Sequence, residues 1–123
     1  MQFETRWLAL SDEADEAGLL VVADGALDMG VHHFAAADVD ALPGTTMPRV
    51  RHGAALVERE LTTLNVDGAQ AGVGGINSWG EHPLPEHRLS CSQPYSWACT
   101  LRPFVQSDGN PEALVGRTRS GAF

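Results

Sequence analysis

Five consecutive apolar residues, Leu19-Leu20-Val21-Val22-Ala23, followed at once by Asp24-Gly25, constrain the fold of this chain more than any other segment. A run that short, with no polar alternation, predicts a strand covered on both faces, and the Asp-Gly pair predicts a turn at its end. The surrounding sequence carries signals of the same kind. Glu4 to Leu10 reads as a strand with Trp7 available for burial, Asp28 to Phe34 as another, and Leu61 to Asp67 as a third that meets a hairpin-type turn at Asp67-Gly68. Glu86 to Ser90 and Tyr95 to Phe104 read as an antiparallel pair around Gln93-Pro94, with Tyr95, Trp97, Cys99 and Leu101 on one face by the two-residue period. Ser11 to Gly18 is a charged connector, too short and polar for an independent helix. Ala35 to Leu42 has room for a helical turn or two ended by Pro43-Gly44, and Pro48 to Arg59 for an extended connection. About seven short strands with little helix make an all-β chain, an antiparallel sheet sandwich. Residues after Phe104 lack a clear period, so 1–104 reads as the structured part and 105–123 as a mobile C-terminal tail.

Composition narrows the partners. Sixteen acidic residues against eight basic ones give a formal charge of −8. Such a chain has no basic patch with which to release counterions, so nucleic acid and anionic membrane are not expected partners. No apolar run approaches the roughly 18 residues that cross a bilayer. The opening Met1-Gln2-Phe3-Glu4 lacks the basic and apolar regions of a signal peptide, which sets a cytoplasmic expectation. Two cysteines, Cys91 and Cys99, are too few for a disulfide scaffold and are expected as free thiols.

The segment with most chemical content is Gly72-Val73-Gly74-Gly75-Ile76-Asn77-Ser78-Trp79-Gly80. Its glycines are too dense for a regular strand, and Asn77 and Ser78 are suited to tying a loop to its own backbone. Trp79 at the end of such a loop has two readings. It can plug a sheet edge, as large indoles commonly do, or it can stack on the apolar C–H face of a sugar while polar neighbours take the hydroxyls.

This segment resembles the closing region of bacterial β-galactosidases of glycoside hydrolase family 2. Their small-chain domain has a Leu-Asn-Leu/Ile-Asp strand, here Leu64-Asn65-Val66-Asp67, and a Gly-x-Gly-Gly-Asp-Asn/Asp-Ser-Trp loop, here Gly72 to Trp79. Weaker likenesses flank it in the right order: Thr5 to Leu10 with Gly18-Leu19-Leu20, then Val31-His32-His33-Phe34 with Ala36 to Asp40, then His87-Arg88-Leu89 and Leu101-Arg102-Pro103. Coverage runs from about residue 5 to 104. One departure is Ile76, which stands where the family usually carries Asp.

The resemblance implies a C-terminal, non-catalytic part of the family's supersandwich domain, present only in part. It further implies that Trp79 binds substrate, with Gly74, Gly75, Asn77 and Ser78 supporting the loop. The expected partners are a β-galactoside and the remainder of a parent β-galactosidase chain. Catalytic glutamates would belong to a barrel domain elsewhere, so no residue of this chain is assigned to catalysis and the chain alone is expected to be inactive. The family's Mg and Na ions would also be bound elsewhere, leaving no cofactor or metal in this segment.

Other constellations carry less. Glu81 and Glu86 flank Trp79, but read as solvated loop charges rather than the carboxylate pair of a retaining glycosidase. His32 and His33 are adjacent and point to opposite faces of a strand, and His52, His82 and His87 lack metal-ligand spacing. The glycine run lacks the Gly-Lys-Ser/Thr ending of a phosphate loop, and no Gly-x-Ser-x-Gly is present. Two rival functions stay open, a free-standing carbohydrate-binding sandwich module and a purely structural assembly domain. A partial sandwich would leave a sheet edge or face exposed, which favours self-association.

Overall fold

The computed structural model describes residues 1–39, 56–72 and 79–121. Its centre is one long strand, β2 (Ala17–His32), with β1 (Gln2–Ser11) antiparallel on one edge. Two strands share the other edge end to end. β4 (Cys99–Val105) pairs with residues 17–23 and β3 (Thr63–Asp67) with residues 28–32, both antiparallel. The expected all-β antiparallel class holds. The strand count does not, since four strands and one sheet form among the described residues.

Asp24-Gly25 does not end the apolar strand, because β2 continues to His32. The β1 partners step from Trp7↔Val22 to Thr5↔Leu27, so between these pairs one residue of β1 faces four of β2. The surplus is an outward bulge of exposed Asp24, Gly25 and Ala26, and Gly25 takes φ +99°, where a side chain is disfavoured. Asp28 to His32 is therefore the second half of one strand rather than a new one, and His33 and Phe34 lie beyond its end. Glu86 to Ser90 is not a strand either: Pro85–His87 is a single 3₁₀ turn, begun by proline, which cannot supply a ladder N–H. Hence no hairpin forms about Gln93-Pro94, and β4 takes its partner from β2 and starts at Cys99 rather than Tyr95.

The connector between β1 and β2 forms a tight polar turn. The Asp12 carboxylate accepts the Glu16 N–H at 2.8 Å, Ser11 donates to Asp15, and Asp12 N–H closes on Ala17 O at 3.0 Å. Beyond β2, the short helix α1 (Ala36–Val39) begins where expected; its predicted end at Pro43-Gly44 lies outside the described residues. Asp38 is buried and doubly engaged, accepting from the Ala35 N–H at 2.9 Å and from the Arg59 guanidinium. Thr63 Oγ1 donates to Phe34 O at 2.8 Å, so the chain returning to β3 is pinned to the end of β2. His32 stacks on Phe34 with centroids 4.8 Å apart, and His33 Nδ1 bonds Leu61 O at 3.0 Å.

Burial explains the continuous apolar run. Leu20 and Val22 face one side of the sheet, Val21 and Ala23 the other, and all four are buried. The first pair joins Phe104, Leu114 and Val115; the second joins Leu27 and Met29, with Leu8, Leu64, Val66 and Cys99 around them. Leu114 and Val115 come from α2 (Pro111–Arg119), which covers the first face. The segment read from sequence as tail thus contains a packed helix. Asn110 caps it, accepting the Ala113 N–H at 2.8 Å, Pro111 opens it, and Arg117 and Arg119 sit at its negative end. Thr118, also buried, returns its hydroxyl to Leu114 O at 2.8 Å and accepts from Arg102 at 3.2 Å.

Gly116 lies on the open side of α2, with no atom within 4 Å of where a Cβ would stand. Gly116→Ala should therefore stabilise the fold by about 0.5–1 kcal/mol through reduced backbone freedom in the unfolded chain. A urea midpoint that does not rise would show that this turn of α2 is not helical in solution.

Candidate functional site

Downstream of β3 the chain leaves the sheet and makes a loop closed at its base. Gly72 N–H donates to His87 O at 2.6 Å, His87 N–H to Leu84 O at 2.9 Å and Arg88 N–H to Pro85 O at 3.2 Å. Arg88 Nε adds a bond to Pro83 O. Prolines at 83 and 85 limit the freedom of the returning limb. The loop supports Gly74, Gly75, Asn77 and Ser78, and the departing Ile76, lie outside the described residues.

Trp79 is described, and is 92% exposed. Among the described residues it belongs to neither core cluster of the sheet. Gly80 follows at φ +89°, a left-handed turn that suits glycine. Glu81, His82, Glu86 and His87 are all exposed around the loop. Among the described residues no group of three His, Cys, Asp or Glu side chains could hold a metal ion.

A second feature was hidden from sequence reading. Where β3 ends, Asp67, Gly68 and Ala69 form one wall of a cleft of about 280 Å³, and Leu89, Tyr95 and Trp97 the other. Tyr95 and Trp97 are half exposed and stand before β4 instead of on it. Period two placed them on the inner face of a strand, but Pro94 and the serines at 90, 92 and 96 were the signal that the strand begins later. Cys99, the first residue of β4, is partly buried against Val21 and Ala23, while Cys91 is exposed; both are free thiols.

No helix among the described residues is long and apolar enough to cross a membrane. Comparison with curated proteins and with solved structures returns no match. Comparison with protein families does: the model of the beta galactosidase small chain matches residues 1–101, which takes in β1 to β3, the closed loop and the first three residues of β4. Over four fifths of its length, then, this chain follows one family pattern, and it belongs to the beta galactosidase small chain family.

Proposed function

We propose that the chain is a non-catalytic segment of a family 2 β-galactosidase and lends a Trp-bearing loop to the galactoside pocket. The observation that carries this reading is Trp79, 92% exposed on a loop closed by the Gly72–His87 hydrogen bond. Exposing an indole to water is unfavourable unless the ring is used, and a hexopyranose offers the apolar face it needs. Stacking on one ring gives little orientation, so a second wall comes from the rest of the enzyme, together with the two carboxylates that glycoside cleavage requires. Asn77 and Ser78 sit beside Trp79 in sequence and suit the polar side of the same contact.

In the enzyme that contains this segment, Trp79→Ala should weaken substrate and product-sugar binding by about 1 kcal/mol, roughly fivefold. Its unfolding midpoint should stay nearly unchanged, whereas loss of a core plug would cost about 3–5 kcal/mol. Strong destabilisation with unchanged sugar affinity would assign Trp79 to structure and remove the reading. Ile76→Asp is the companion variant: tighter binding is expected if the family's carboxylate orders the loop.

A further inference from the structure

The cleft between the Asp67–Ala69 turn and residues 89–97 has the make-up of a second ligand site. Trp97 is 52% and Tyr95 49% exposed, yet both are held in place. The Trp97 indole lies so close over Gly68 that a Cβ there would collide with the ring. The Tyr95 hydroxyl accepts from Ser90 N–H and from the Gln93 amide, each at 2.8 Å. Asp67, on the facing wall, is steadied by Gln70 Nε2 at 3.2 Å. Two exposed aromatics locked by specific contacts, opposite a positioned carboxylate, form a preorganised surface, which lowers the ordering cost of binding.

We infer that this cleft binds one pyranose ring, independently of Trp79. The aromatic and Leu89 surfaces suit the apolar C–H face of a sugar, and Asp67 can accept from two neighbouring hydroxyls. A cleft of about 280 Å³ lies just below the roughly 300–1,000 Å³ of drug-sized sites, so it suits one ring and not a long chain. Asp67 and the overall charge of −8 disfavour phosphorylated or carboxylated ligands. The inference rests on the preceding reading only for the choice of sugar, since the cleft lies wholly within this chain.

The test is a two-dimensional NMR titration of the 123-residue chain with methyl β-galactopyranoside and methyl β-glucopyranoside, with choline as a cationic control. Millimolar binding to at least one glycoside should move the Trp97 indole N–H and the Gly68 amide. Trp97→Ala should weaken it about fivefold or more. Asp67→Asn, which keeps the side chain's shape, should also weaken it in a chain whose spectrum is otherwise unchanged, while Trp79→Ala should leave affinity alone. No shift with either sugar, a response to choline alone, or a response abolished by Trp79→Ala but not by Trp97→Ala would each overturn the inference. Because the Trp79 proposal is read in the parent enzyme's substrate affinity, either can fail without the other.

Discussion

Leu114→Ala is expected to lower the stability of the folded chain by about 2–5 kcal/mol. Leu114 is fully buried and meets Leu20, Val22, Phe104 and Val115 in the cluster between α2 and the sheet. A nine-residue helix is too short to persist alone in water, so α2 exists because this stripe is buried. The dependence runs both ways, since the helix is what covers Leu20 and Val22. Removing three side-chain carbons takes away transfer free energy and leaves a cavity that a sheet on one side and a helix on the other cannot readily close. Urea unfolding measured by tryptophan fluorescence and by circular dichroism should shift together. A loss below about 0.5 kcal/mol, within the range of ordinary surface substitutions, would show that residues 111–119 are attached loosely and that a tail is the better description.

Gly18→Ala should be destabilising by about 1–3 kcal/mol, the range for overpacking a core. Gly18 lies on β2 opposite Ser11 of β1 and Phe104 of β4. A Cβ at this position would run into the carbonyl oxygen of Leu10 and the edge of the Phe104 ring. The ring could tilt, but the carbonyl is backbone in a hydrogen-bonded ladder and moves only if the pairing opens. The contrast with Gly116→Ala, expected to stabilise, separates a steric effect from helix or strand propensity. In a Phe104→Leu background the cost of Gly18→Ala should shrink, because part of the obstruction is gone and the two sites are in contact. Equal costs in both backgrounds would place the whole penalty on the backbone.

Much of the sheet could be read directly. The apolar run at 19–23 had to be covered on two faces, and it is, by side chains of alternating direction that reach two different clusters. β3 is legible in alternation and β-branching, which report on a half-buried strand whatever its partner. The family pattern around Leu64 to Trp79 was also local, and it is what the family match encompasses. The helix α2 was legible in principle: Asn110-Pro111-Glu112 is a start signal and Arg117 to Gly121 a stop. Its buried residues Leu114, Val115 and Thr118 span too few turns to establish a period.

Other features have no local signature. Whether Asp24-Gly25 turns or bulges depends on whether β1 continues past it, and Thr5 and Gln2 do find partners beyond the bulge. Whether 95–104 pairs with 86–90 or with β2 is a competition between a nearby segment that opens in a proline-led 3₁₀ turn and a distant extended strand without proline. Long-range pairing wins because Phe104 then reaches the cluster under α2.

By itself, then, the amino-acid sequence determined the all-β class, the buried central strand and the family, because each is written in the spacing and type of neighbouring residues. Tertiary structure decided which strands pair, that a short capped segment becomes the helix covering one face, and that Tyr95 and Trp97 stand beside Asp67 instead of inside a sheet. Those outcomes depend on burial and on carbonyl and N–H groups supplied by residues far away in the chain, and no local pattern records who the partner will be.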